Sequence, residues 1–341
     1  MLVWIMPVPP LRNLITDVPG LKVGNAHDLR IASGVTALVF DGPSVASVAI
    51  HGGAPGVRDS ALLEPEASVE TVDALVLSGG SAFGLDSMGG VMAHLRSIGR
   101  GFEIGSVRVP IAPGAIVFDL LAGGATNWAD PPPWWSLGRQ AAANADLTFN
   151  LGTAGAGYGA TIVDMKGGLG SASARTADGY TVGALVVVNA VGTVLVDDGP
   201  HFWAGADEQD GEFGGFGFPA QLDSATTRKH ALKGDRPREN TTIAIVATDA
   251  ALTKGQAKRM AIMAHDGLAR AIRPSHAPMD GDVVFAAGTA KMAGAIDLRC
   301  LAELGATAAS CLARACARGV YEATALPFAG ALPAWKDRFK K

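Results

Sequence analysis

The 341-residue chain has little that is aromatic, charged or sulfur-bearing: 6% aromatic residues, 18% charged residues and three cysteines. The cysteines, Cys300, Cys311 and Cys316, lie close together with no C-x-x-C spacing. They are too few for a disulfide scaffold and read as small core residues of one helix in a reducing compartment. A charge balance of −4 gives no support to a nucleic-acid binder working by bulk charge. No apolar, uncharged run of about 18 residues occurs, so no membrane partner is expected. The apolar stretch Met1 to Leu11 precedes its first positive residue, Arg12, the reverse of a signal peptide, which points to a cytoplasmic protein. Histidines 27, 51, 94, 201, 230, 265 and 276 form no close ligand pair, so neither a metal nor another cofactor is expected. No G-x-S-x-G elbow is present either.

What the chain does have is small and apolar. Hydrophobic residues make up 48%, with 44 glycines and 19 prolines, which favours densely packed layers and tight turns. Val35 to Phe40 and Val45 to Ile50 read as a hairpin about Asp41-Gly42-Pro43. Val72 to Leu77 reads as a buried strand that runs through Ser78-Gly79-Gly80-Ser81 into a helix over 83–98. Residues 129–138 read as an irregular loop. Residues 180–196 read as a second hairpin joined at Asn189 to Gly192, and 222–239 as a solvated linker. The final third reads β-α-β-α: a strand from Thr241, a helix capped by Thr253, a strand from Asp282 and a long Ala/Leu helix from Asp297.

Three places invite chemistry. Gly155 to Ala160 fits G-x-G-x-x-A, but Gly167-Gly168-Leu169-Gly170 interrupts any helix that would follow, so a NAD-binding Rossmann-like protein is a weak alternative. The turn Gly79-Gly80-Ser81 offers backbone N–H groups suited to a carboxylate or a developing negative charge. At Arg238-Glu239-Asn240-Thr241-Thr242-Ile243 a charged linker meets a buried strand that opens on threonine. Scission of the Asn240–Thr241 bond would give Thr241 a hydroxyl nucleophile and an α-amine base, of unperturbed pKa about 8, in one residue. An ordinary turn entering a strand is the alternative there.

The segments Leu77 to Asp86, Val109-Pro110-Ile111, Phe118-Asp119-Leu120, Gly155-Ala156-Gly157, Lys166 to Ser173, Val188 to Gly192, Asn240 to Ile243 and Met279 to Asp282 are similar, in order, to those of the DmpA-type aminopeptidases. That family comprises L-aminopeptidase/D-esterases, β-peptidyl aminopeptidases and nylon-oligomer hydrolases. The resemblance runs from about residue 15 to 325. It implies an α+β, four-layer αββα sandwich, like that of ornithine acetyltransferase, formed by one catalytic domain over 1–341 and self-cleaved into an α chain, 1–240, and a β chain, 241–341.

By the same resemblance Thr241 is the nucleophile and Asn189 lies near the oxyanion, while Asp280 and Asp282 orient the nucleophile and its amine. Lys166 is a further catalytic candidate, and Gly79, Gly80, Ser81 and Phe118 are candidates for binding substrate. Phe118 stands where nylon-oligomer hydrolases carry tyrosine, and the family's lysine after Gly-Ala-Gly falls here on Val163-Asp164. The implied substrates are small amino-terminal amides and peptides, D-amino-acid esters, β-peptides or 6-aminohexanoate oligomers, and the implied assembly is a homo-oligomer of α/β pairs. Acyl transfer of the ornithine-acetyltransferase type is the other reading.

Overall fold

In the computed structural model, residues 10–128, 130–222, 232–233 and 240–339 are described. The strands are β1 (Leu21–Asp28), β2 (Ser33–Ile50), β3 (Val57–Arg58), β4 (Val72–Ser78), β5 (Phe102–Ile104), β6 (Val107–Val109), β7 (Gly114–Ile116), β8 (Gly168–Arg175), β9 (Thr181–Asn189), β10 (Thr241–Ala250) and β11 (Val283–Met292). The helices are α1 (Ser87–Ser97), α2 (Trp134–Ala143), α3 (Lys254–Ala271), α4 (Leu298–Tyr321) and α5 (Trp335–Phe339).

The strands run in the order β3-β7-β4-β2-β11-β10-β9-β8, with β1 added on β2. The long strand β2 belongs to two sheets. Its first part pairs with β1 and β4, its last part with β11, and its register on β4 shifts between Val39 and Ser44. The segment Asp41-Gly42-Pro43 is therefore no hairpin turn. It is the irregularity at which one strand leaves the first sheet for the second.

Side-chain parity then builds the layers, because successive residues of a strand point to opposite faces. On β9 and β10, Val182, Ala184, Val186, Val188, Ala244 and Val246 pack with α3 and α4. Their neighbours Leu185, Val187, Ile243 and Ile245 pack instead with Leu38, Phe40, Leu75 and Leu77 of the first sheet. On that sheet's outer face Val35, Ala37, Ala74 and Val76 meet Met88, Leu95 and Trp134 of α1 and α2. The result is helices, sheet, sheet, helices. With both faces covered, β9 and β10 are buried along their whole length.

Thr253 caps α3 by accepting from the Gln256 N–H, and Asp297 caps α4 by accepting from the Cys300 N–H; each cap contributes about 1 kcal/mol. The three cysteines are buried on α4. By length and composition α4 could cross a membrane, but 72% of its most apolar window is buried inside the fold. The small residues of β8 let α4 approach closely: a Cβ on Gly170 would lie 1.8 Å from the Ala315 carbonyl oxygen.

Two further expectations are revised. The hairpin partner of β9 is β8, not the segment after Asn189. The proline-rich stretch is followed at Trp134 by α2, rather than continuing as loop to residue 138. Most of the expected linker, residues 223–231 and 234–239, lies outside the described residues.

Candidate active site

Thr241 and Asn189 are direct cross-strand partners at the ends of β10 and β9. Both share the parity of Ile243 and Val187, so both side chains belong to the face between the two sheets. Thr241 is only 3% exposed. Its hydroxyl donates to the Asn240 carbonyl oxygen at 2.5 Å, and the same oxygen accepts the Gly281 N–H at 2.9 Å. The Asn240–Thr241 carbonyl is thus polarised by a backbone donor while the hydroxyl that would attack it lies alongside. Glycine is required at 281, because a Cβ there would come within 2.7 Å of Thr241 Oγ1.

A short parallel bridge between Asn240 and Asp280 lays the 280–282 loop beside this bond. Asp282 Oδ1 accepts the Thr242 N–H at 3.0 Å, and Oδ2 accepts both the backbone N–H and ring Nδ1–H of His276 at 2.8 Å. Asp280 is fully buried, and its Oδ1 has no hydrogen-bond partner. Burial first, and the Asp282 charge second, push Asp280 up to about 8.

Asn189 Oδ1 accepts the Thr161 N–H at 3.0 Å, and its amide donates to the Phe118 carbonyl at 3.0 Å. A cavity of about 490 Å³ opens next to it, lined by Phe118, Asp119, Thr161, Lys166, Lys233 and Asn240, with Leu326 and Leu332 on the apolar side. The structure therefore brings Thr241, Asn189, Asp280, Asp282, Asn240 and Phe118 to one place.

Lys166 is fixed at the pocket wall. Its ammonium donates to the Gly157, Ala160 and Gly167 carbonyls at 2.8–3.0 Å, which uses all three of its N–H groups. Burial pulls it down to about 7, opposed by Asp119. The Gly79, Gly80 and Ser81 amides do not face the cavity. They donate to the Gly34 carbonyl, Asp119 Oδ1 and the Val117 carbonyl. Asp119, buried at the far end of the Gly80 bond, is pushed up to about 6, chiefly by burial.

Lys233, which the sequence places in the linker, is a second cation lining the pocket. Its ammonium donates to the Thr161 carbonyl at 2.9 Å and reaches Asn189 Oδ1 at 3.4 Å. The Gly155–Gly157 segment is a single 3₁₀ turn, and the chain reaches β8 without opening a helix, so no dinucleotide fold is formed.

Four layers, helices on sheet on sheet on helices, are the arrangement of the amino-terminal-nucleophile hydrolase fold. Solved structures agree. A β-aminopeptidase from Burkholderia sp. superposes with a TM-score of 0.69 at 20% identity, covering 98% of this chain and 93% of that one. So does the L-aminopeptidase D-Ala-esterase/amidase of Ochrobactrum anthropi, described as a variant of that fold, with a TM-score of 0.69 at 19% identity and the same coverage. In sequence, an aminopeptidase of Mycobacterium tuberculosis H37Rv, described as uncharacterised, is 42% identical over 96% of this chain and 98% of its own length. A 6-aminohexanoate-oligomer endohydrolase of Agromyces sp. is 28% identical over 80% of this chain and 74% of its own. Residues 13–331 match the pattern of Peptidase family S58. The chain belongs to that family, and is a hydrolase of peptide or amide bonds.

Proposed function

We propose that the chain cuts itself between Asn240 and Thr241, and that the released β chain, 241–341, hydrolyses small amino-terminal amides and peptides through a threonyl acyl-enzyme. The observation that carries this is the pair of hydrogen bonds on the Asn240 carbonyl, one from the Thr241 hydroxyl and one from the Gly281 N–H. Attack of Oγ1 on that carbonyl carbon forms the C–O bond. The proton of Oγ1 passes to the Thr241 nitrogen, collapse of the tetrahedral carbon breaks C–N, and the nitrogen leaves as the amine of Thr241. Water then hydrolyses the ester and leaves a carboxylate on Asn240.

Turnover repeats the chemistry on a substrate. The α-amine takes the proton of Oγ1, the hydroxyl acylates, the amine protonates the leaving nitrogen, and water frees the acid. We assign the second N–H of the Asn189 amide, whose first donates to the Phe118 carbonyl, to the tetrahedral oxygen; such a donor contributes about 3–4 kcal/mol. Release of the α-amine of Thr241 offers the buried, partnerless Asp280 Oδ1 an N–H donor that the uncut chain lacks. The cavity wall, apolar at Leu326 and Leu332 and carrying donors at Lys233 and Asn240, suits a short chain with amide carbonyls. Names of relatives support aminopeptidase action, with ester, β-peptide and 6-aminohexanoate substrates as the wider range.

We assign the enzyme to a cytoplasmic homo-oligomer of α/β pairs. The hairpin β5–β6 supports assembly, since Phe102, Ile104, Val107 and Val109 are 41–62% exposed on it. The deciding experiment is denaturing mass measurement of freshly purified protein. Fragments of 240 and 341 − 240 = 101 residues are expected, and a single intact, inactive chain for T241A. An active T241A, or acetyl transfer from acetylornithine outrunning hydrolysis of an aminoacyl anilide, would overturn the reading.

A further inference from the structure

Seven histidines scattered through the sequence do not suggest a cluster, yet the fold gathers three of them. His51 follows β2, His265 lies on α3 and His276 sits in the loop before Asp280. One ring nitrogen from each lies within 4.8 Å of one from each of the others. Two of the rings are already oriented. His265 Nε2 sits 3.0 Å from the Ala49 carbonyl oxygen, which only accepts, so Nε2 carries the hydrogen and Nδ1 keeps a lone pair. That Nδ1 is buried without a partner in a residue only 2% exposed. His276 Nδ1 sits 2.8 Å from Asp282 Oδ2, which fixes its hydrogen there and leaves the lone pair on Nε2. The His276 backbone is held at φ 56, an uncommon conformation for a non-glycine residue.

We propose that His51, His265 and His276 form a binding site for a first-row divalent cation that prefers imidazole, with zinc as the type ligand. Three imidazoles, one backed by a carboxylate and one by a carbonyl, are the donor set and outer shell such ions select. Nitrogens about 2.0–2.1 Å from a tetrahedral zinc stand about 3.4 Å apart, so the cluster must close by up to about 1.4 Å from its 4.8 Å limit. The exposed ring of His51, stacked on His265 at 3.8 Å, is the one that turns, and its exposure leaves a fourth position for water. Asp282 links the site to the N–H of Thr242, the residue after the proposed nucleophile, but the site does not depend on that assignment.

The test is titration of chelator-dialysed enzyme with Zn²⁺ against a chromophoric competitor, and with Co²⁺ followed by visible absorption. One equivalent of zinc and the intense bands of four-coordinate cobalt are expected. H51A and H51Q, altered at an exposed ring, should bind at least about tenfold more weakly. H201A, changed at a histidine outside the cluster, should match the wild type. Binding below one equivalent, six-coordinate cobalt spectra, or equal affinity in wild type and both His51 variants would overturn the site.

Discussion

Gly281 offers the sharpest perturbation of the proposed self-cleavage. A Cβ added there would lie 2.7 Å from Thr241 Oγ1, 3.1 Å from its Cγ2 and 2.6 Å from the Ala54 carbonyl oxygen, where ordinary contact begins at 3.4 Å. The shortfall is about 0.7–0.8 Å. Ala54 is tied down, because its N–H donates to the Asp280 carbonyl at 2.9 Å, so the backbone at 281 and the threonine side chain must both give. A displacement near 1 Å at reacting atoms costs about 10²-fold in rate. Gly281→Ala should therefore slow processing roughly 10- to 100-fold, equivalent to about 1.4–2.7 kcal/mol of barrier. Overpacking should also lower stability by about 1–3 kcal/mol. The assay follows precursor mass against the two fragments after a translation pulse, with the denaturant midpoint confirming that the variant is folded. Cleavage of G281A at the wild-type rate would refute attack on the Asn240 carbonyl in the pose described.

Thr241→Ser should preserve cleavage and turnover, whereas T241A should lose both; loss of processing in the serine variant as well would mean the hydroxyl is not the attacking group. Lys166→Met takes the ammonium from the Gly157, Ala160 and Gly167 carbonyls, of which the first two still accept the Ala160 and Gly167 N–H, and should cost about 1–3 kcal/mol in denaturant unfolding, a figure contradicted by an unchanged midpoint. Asp119 is pushed from 3.8 up to about 6, so between those values the folded chain holds a proton that the unfolded chain has lost. Its contribution to stability is therefore greatest below 3.8 and declines as pH rises to about 6, and Asp119→Asn should flatten that part of the stability profile. Ile104→Glu on the exposed hairpin should reduce the assembly's mass in light scattering if that hairpin is the contact; an unchanged mass removes it from the interface.

The elements legible in the sequence were those whose local signals agreed with their tertiary role. β4 is a short apolar run, β10 is rich in β-branched residues, and α3 and α4 carry their own caps. β2 was misjudged because Asp41-Gly42-Pro43 has turn composition, and only the presence of two sheets explains why the chain crosses there instead of reversing. β8 was hidden because Gly168-Leu169-Gly170-Ser171-Ala172-Ser173 has poor strand propensity. Its small residues answer to the close passage of α4, which no local pattern records. In the site, Thr241, Asn189 and Asp280 could be named from motifs. Lys233, and the meeting of His51 with His265 and His276, arise from segments far apart in the chain. Gly79 and Gly80 were read as an open anion nest, whereas Asp119 already occupies the Gly80 N–H.

The place of β10 and β11 in the strand order bears on what a nick at residue 240 would do. Neither strand is at an edge: β9 pairs with β10 from Thr241 to Thr248 on one side, and β2 pairs with β11 from Val283 to Gly288 on the other. The carboxy-terminal fragment is thus woven into the middle of the molecule, and severing its covalent tether removes none of the ladders that grip it. The two pieces should copurify through any native step and part only under denaturant. Once apart, the shorter would carry two apolar strands stripped of β9 and β2 at their outer edges.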